Sequence, residues 1–349
     1  AKSLDKTPDR LQSFEAEVIK KMINLYGGSQ GSLTGSLVTG ATEGNLYSAW
    51  LGKEKLNRDG IKKVCILATS LTDESVAKAS RIMGLPLYPV ELEESFGMSP
   101  EGLSRKVISL YKEGYQGFII CLTLGYKKTG TSDDYRKILG AIDGLKQSHP
   151  KLGSFIWIDA AQDGLGLPFI ENKFSPFGQS QIQTLVIDFH KSSLVPYTVG
   201  LLLLRKKLLD DANDLQKRGL LESRSALSGI ACWALINDLG KAGLGKLFRR
   251  AQAQRNDFKK NIEAKLSTKK IISPKANSSL ALFVTKSLFL RIKKLETNFP
   301  IRCHEEKLLM SNKKQTFYFV KVYFLPGLSF DCVDKMLRAF RRIGSHLKR

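Results

Sequence analysis

Between residues 62 and 206 short apolar runs alternate with helical patterns, and that alternation limits the fold more than any other feature of the chain. The runs cover 64–68, 85–90, 118–124, 155–159, 184–188 and 201–204, with helical stretches at 74–83, 100–113 and 133–147. A strand that is apolar on both faces needs cover on both, and helices that return the chain between parallel strands supply it. The pattern therefore predicts an α/β domain on a large, mainly parallel sheet. In such sheets functional groups gather just beyond the carboxyl ends of the strands. Asp159, the pair His190-Lys191 and the segment 72–75 all fall at such ends. Lys191, on the connection between two strands read as buried, is either a reactive amine or a lysine of a surface turn.

The flanking segments extend this plan. Residues 9–26 set Leu11, Phe14, Val18, Met22 and Leu25 at helical spacing, an amphipathic entry helix closed by Gly27-Gly28. GGSQGSLTGS reads as a linker, and Gly40-Ala41-Thr42-Glu43-Gly44 as a small-residue turn opening a helix near Thr42. Such a turn presents unpaired backbone N–H groups at the positive end of the helix dipole, which suits a phosphate; an ordinary N-cap by Thr42 explains it equally well. A long helical region at 225–266 is followed by strand-like runs at 279–284 and 316–324, a helical stretch to about Glu296 and an amphipathic helix at 329–343. These form a small α+β domain. The expected division is an N-terminal helix and linker (1–38), a large domain (39–240) and a small basic C-terminal domain (241–349).

Charge is distributed unevenly. Residues 241–349 hold 26 Lys or Arg against 7 Asp or Glu, so this third carries most of the net charge of +22. Such a surface attracts nucleic acid, anionic lipid or an acidic partner, but no compact nucleic-acid-binding motif accompanies it, and a solvated basic face is the favoured reading. The five cysteines are odd in number and scattered, with Cys65 and Cys121 inside apolar runs. They read as reduced core thiols rather than a disulfide framework or a metal site, which points to the cytoplasm. No apolar run approaches the roughly 20 residues of a membrane span.

Three features converge on one cofactor: a helix-opening turn for a phosphate, a carboxylate at a strand end for a pyridine nitrogen, and a lysine for a Schiff base. The segments TGATEGNLYSAWLGKEK (39–55), SVAKASRIMGLPLYPV (75–90), WIDAAQDGLGLPF (157–169), DFHKSSLVPYTVGLLLLRK (188–206) and SRSALSGIACWAL (223–235) resemble the group II pyridoxal-phosphate-dependent amino-acid decarboxylases, most of all their histidine and serine decarboxylase branch. The resemblance implies the PLP-dependent transferase fold of type I, an amino-acid substrate, pyridoxal 5′-phosphate as cofactor and a homodimer. It makes Lys191 the Schiff-base lysine, with His190 beside it on the phosphate. Asp159 pairs with the pyridine nitrogen, and Ala161 packs against a ring face. Ala41 and Thr42 contact the phosphate, with Asp188 and Ser192 nearby.

One departure concerns catalysis directly. Asp73 stands where the family carries a histidine that stacks on the cofactor and takes part in proton transfer, and none of His149, His190, His304 and His346 lies at the matching position. Tyr126-Lys127 replaces a small Thr-Thr pair, and Lys127 is either a second amine near the cofactor or, the favoured reading, a solvated loop residue. The leading reading is a decarboxylase acting through Lys191, Asp159 and Asp73. The competing one is a non-catalytic family member that binds partners through its basic C-terminal surface.

Overall fold

A computed structural model describes residues 9–171, 173–192, 194–209, 226–263, 270–273, 279–310 and 313–345. The elements of the first part are α1 (Asp9–Leu25), β1 (Leu33–Val38), α2 (Ala41–Arg58), β2 (Val64–Thr69), α3 (Glu74–Met83), β3 (Leu87–Val90), α4 (Pro100–Lys112), β4 (Gly117–Thr123), α5 (Tyr135–Ser148), β5 (Gly153–Asp159), α6 (Leu167–Ile170), β6 (Ile182–Asp188) and β7 (Gly200–Arg205). Their strands make one seven-stranded sheet in the order β1-β7-β6-β5-β4-β2-β3. The five strands from β3 to β6 are parallel; β7 is antiparallel to β6, and β1 is antiparallel to β7.

The apolar runs become strands because both faces of the sheet are covered. Successive side chains of a strand point to opposite faces. On β6, Leu185 and Ile187 therefore join the core under α1, α4 and α5, while Val186 joins the core under α2 and α3. Helix starts follow the side-chain chemistry: Asp73 caps α3, Ser99 caps α4 and Asp134 caps α5, each accepting a backbone N–H of the first turn.

The segment expected to be a linker contains β1. Its glycine and serines conceal a strand that needs little side-chain volume. Leu33 and Leu37 enter the core, and Gly35 lies so close to β7 that an added Cβ would come 2.7 Å from the Leu202 carbonyl. Close strand approach rather than bulk selects the residue.

The second part comprises α7 (Ala226–Glu263), β8 (Lys270–Ile272), β9 (Ser279–Phe283), α8 (Lys286–Lys293), β10 (Ile301–Met310), β11 (Lys313–Tyr323) and α9 (Phe330–Ser345). The long helix is broken at Gly240, which adopts φ 57° and ψ −171°. Before the break Cys232 and Ile236 pack on the large sheet; well beyond it Ala251, Phe258 and Ile262 pack on an antiparallel sheet of order β10-β11-β9-β8. Residues 223–225 and 264–266 of the anticipated pattern lie outside the described residues. Strand β10 had no counterpart in the sequence reading, because charges interrupt its apolar pattern. A further cluster, including Leu71, Phe96, Tyr126, Leu308, Phe317 and Phe319, ties the small sheet to the loops at the carboxyl ends of the large one. No helix among the described residues is long and apolar enough to cross a membrane. Cys65, Cys121 and Cys232 are buried free thiols.

Helix α2 is held against β6 at Gly44, where an added Cβ would sit 2.6 Å from Val186 Cγ1. Overpacking of this kind costs about 1–3 kcal/mol. Gly44→Ala is expected to lower the denaturant midpoint accordingly, despite the better helix propensity of alanine, because neither the helix nor the buried strand can retreat.

Candidate active site

The carboxyl ends of β4, β5 and β6 lie side by side, and the ladder fixes which residues meet there. Thr123 pairs with Asp159, and Asp159 with Val186. Asp188 follows two residues later on the face of Val186, toward the start of α2. The Asp188 carboxylate bridges two elements: Oδ1 accepts the Ala41 N–H at 2.7 Å, and Oδ2 accepts Lys191 Nζ at 3.0 Å. A short 3-10 turn, His190–Ser192, turns the chain back so that Lys191 reaches the aspartate three residues before it. His190 Nε2 stands 3.8 Å from the same Asp188 Oδ2, and its Nδ1 lies 3.2 Å from the Val199 carbonyl oxygen. Ser192 Oγ donates to the Phe189 carbonyl and closes that turn.

Asp159 is buried, and its two oxygens are held separately. Oδ1 accepts the Ala161 N–H at 3.0 Å and Oδ2 accepts Asn45 Nδ2 at 2.9 Å; the same amide group donates to Ser75 Oγ at 3.0 Å. Burial pushes the Asp159 carboxyl upward, and the nearby Lys191 charge and these hydrogen bonds do not fully offset it. A buried carboxylate of this kind gains most from a cationic N–H partner. Burial also favours a neutral Lys191, but Asp188 first, then Asp159 and Asp73, outweigh it and hold the ammonium above its ordinary range. Asp73 is shifted the other way: burial would raise it, but the Ser75 N–H and hydroxyl and the charges of Lys191 and Lys127 keep it ionised below the usual carboxylate range.

These groups line one cavity of about 1060 Å³. Ala41, Thr42, Asp73, Asp159, Asp188, His190 and Lys191 all face it. Ala161 is not among the residues facing the cavity and donates its N–H to Asp159, and Ser192 lines an adjoining crevice. The cavity also has a wall that the sequence did not reveal. The stretch 296–302, His304 and Tyr323 come from the small sheet and its approaches, and Lys127 from the loop after β4. Lys127, for which the sequence favours a solvated loop position over a second amine near the cofactor, is exposed and lines the cavity. His304 lines it too, although no histidine was placed there by sequence position; His346 lies outside the described residues. Asn45 was also missed, although it falls four residues after Ala41 on the same helical face. Among the described residues no group of three or more His, Cys, Asp or Glu side chains is arranged to hold a metal ion.

The loop carrying Lys127 is pinned by a buried carboxylate. Asp133 accepts the Met98 and Thr123 N–H groups at 2.6 and 2.7 Å, and the Tyr126 hydroxyl donates to it at 2.8 Å. Burial pushes its carboxyl up to about 6 against an ordinary value of 3.8. The folded state thus holds this proton more tightly than the unfolded chain, so the contribution of Asp133 to stability is fullest below pH 4 and declines as pH rises from about 4 to about 6. The stability difference between the native protein and Asp133→Asn, measured by urea unfolding, should shrink by roughly 3 kcal/mol across that window. A pH-independent difference would contradict the assignment.

The group implied by the resemblance fits these residues. Helix α2 opens on the cavity with Gly40 as its N-cap and no side-chain cap from that residue; Asp188 takes the Ala41 N–H, and the positive end of the helix at Thr42 faces the cavity, where it suits an anion. Asp188 Oδ1 and His190 Cε1 are both 3.9 Å from where a Gly40 Cβ would lie, which places them at the same end. Asn45 Oδ1 is buried without a hydrogen-bond partner beside Asp159, a site tuned for polar contact rather than packing.

Comparison with known proteins agrees. The pyridoxal-dependent decarboxylase conserved domain matches residues 10–286. The probable L-tyrosine/L-aspartate decarboxylase of Methanothermobacter thermautotrophicus is 26% identical over 265 residues, which are 71% of this chain and 68% of that protein. The L-aspartate decarboxylase of Thermococcus kodakarensis is 25% identical over 247 residues, so this chain spans only 60% of that relative, against 66% of its own length. Among solved structures, the glutamate decarboxylase of Lactobacillus brevis superposes with a TM-score of 0.80 at 14% identity, over 97% of this chain and 81% of that one. Oryza sativa TDC, solved with PLP and tryptamine, gives a TM-score of 0.78 at 13% identity, over 98% of this chain and 77% of that one. The reading as a non-catalytic binding module gains no support from the curated relatives, which are described as decarboxylases. The chain belongs to the pyridoxal-dependent decarboxylase family, whose lyase chemistry on amino acids uses pyridoxal 5′-phosphate as cofactor.

Proposed function

We propose that this chain decarboxylates an amino acid through a cofactor held covalently by Lys191, working as a homodimer in the cytoplasm. The observation that carries the reading is the convergence of Lys191, Asp159, Asp188 and the first turn of α2 on one cavity. The homodimer rests on the family resemblance, and the cytoplasm on buried free thiols in place of a disulfide framework.

When bound there, pyridoxal phosphate supplies an electron-accepting ring. The N-terminus of α2, with Ala41, Thr42 and His190, would hold its phosphate. Asp159 would pair with the pyridine nitrogen of such a ring, and the hydrogen bonds from Asn45 and the Ala161 N–H hold its carboxylate in place. A cationic partner on Asp159 would offset one of the charges that hold the proton on Lys191, with Asp188 remaining the strongest of them. Asp188 aims Lys191. The ionised Asp73 faces the same cavity and would repel a substrate carboxylate brought beside it, which would oppose ground-state binding and favour release of neutral carbon dioxide. Incubation of cofactor-loaded protein with a panel of amino acids should yield carbon dioxide and the matching amine from at least one. Colour without any amine product would overturn the decarboxylase reading while leaving cofactor binding intact.

A further inference from the structure

Cations concentrate on the part of the cavity wall that meets the small sheet. Arg302 and His304 lie two residues apart on β10 and so share a face, and Lys127, on the loop after β4, lines the same cavity. Burial first, and then the charges of Lys128, Lys321, Lys127 and Arg302, hold the His304 imidazole neutral down to about pH 4. Arg302 spends one N–H on the Ile301 carbonyl at 2.9 Å and keeps the rest of its guanidinium, whereas two of these cations are engaged at their charged ends. Lys128 pairs with Glu306 at 2.7 Å, and the fully buried Lys321 donates to the Tyr126 carbonyl at 3.0 Å. Among the described residues, neither Lys127 nor Arg302 has a carboxylate within ion-pair distance.

A second observation is independent of charge. The Nε2 of His304 is buried and has no hydrogen-bond partner, which costs free energy unless a ligand meets it. The acidic groups lining the cavity do not serve this patch. Asp159 and Asp188 are committed at the sheet, Asp73 caps α3, Glu43 accepts from Thr39, and Glu296 accepts the Cys303 N–H.

We propose that Lys127, Arg302 and His304 receive a second anionic group of the substrate, so that the preferred substrates are amino acids with a side-chain carboxylate. This rests on the amino-acid lyase reading above. The cavity, about 1060 Å³, lies at the upper end of ordinary ligand pockets and has room for an amino acid beside a cofactor. The patch suits the distal carboxylate better than the α-carboxylate. Cations clamped on a group that must leave as neutral carbon dioxide would stabilise the ground state and oppose the reaction.

The test uses cofactor-loaded protein and the change in its absorbance band on titration with L-aspartate, L-glutamate, L-asparagine and L-glutamine. At least one acid should half-saturate at about a tenfold or lower concentration than its amide, the scale of one charge-assisted hydrogen bond. Arg302→Gln should raise that acid's half-saturating concentration about tenfold or more while moving the amide by no more than about twofold. Lys127→Gln, on an exposed loop residue, provides a second variant with the same expectation should the first fail to fold. Amides that saturate as readily as acids would overturn the proposal. So would a variant that weakens acids and amides alike, since the patch would then hold the α-carboxylate. If the protein takes up no cofactor, the lyase reading fails but the patch can still be judged by calorimetry with glutarate on the cofactor-free chain. Binding that Arg302→Gln weakens supports the patch, and no binding overturns it.

Discussion

Lys191→Ala is expected to leave a folded protein that has lost the absorbance of a lysine-bound cofactor and on the order of 10³-fold or more of its turnover, the effect of removing a group that both anchors the cofactor and moves a proton. Folding should survive because Lys191 lies on a short turn, and its partner Asp188 keeps a second bond to the Ala41 N–H. The variant should still retain cofactor noncovalently through the first turn of α2, so that loss of the covalent band and loss of affinity separate. Full activity in Lys191→Ala would place the covalent chemistry on another amine. Lys321 is the natural rival, since it is fully buried and burial brings its amine down to about 8. Its Nζ, however, is bonded to the Tyr126 carbonyl at 3.0 Å, and Lys321 is not among the residues facing the cavity.

Asp159→Asn should lower turnover by about 10²–10³-fold, the scale reported for removing one preorganised electrostatic group at a reacting centre. Fold stability should hold or rise, because the substitution preserves shape and removes a buried carboxylate whose ionisation burial already disfavours. The signature is therefore a loss of activity without a drop in urea midpoint, together with a cofactor band that still forms. A variant that loses activity only because it unfolds would show that Asp159 serves the strand end and not the chemistry.

The sequence made the large sheet legible because its strands are buried on both faces, and continuous apolar runs such as the one ending at Asp188 admit few other readings. It concealed β1, where Gly35 is required for close approach to Leu202 rather than for turn-making. It also concealed β10, whose alternation of Arg302, His304 and Glu306 on one face carries the signal in polar residues rather than apolar ones. The same blindness hid half of the site. Residues contributed by the ends of parallel strands could be placed from the chain, because topology alone brings Asp159, Asp188 and Lys191 together. Those contributed by the small sheet could not, since which face of β10 meets the cavity depends on packing through Phe317, Phe319 and Tyr126. Asp73 is intermediate. Its position was legible, but its role as the cap of α3, bonded to the Ser75 N–H at 2.9 Å, appears only in three dimensions.

Borohydride reduction of the cofactor-loaded protein, followed by peptide mapping, tests the central claim most directly. Reduction converts a cofactor–lysine link into a stable adduct that marks one residue. The cofactor mass is expected on the peptide containing Lys191 and on no other; its appearance on Lys321 or Lys127, or on no lysine at all, would contradict the assignment of Lys191 as the residue that holds the cofactor.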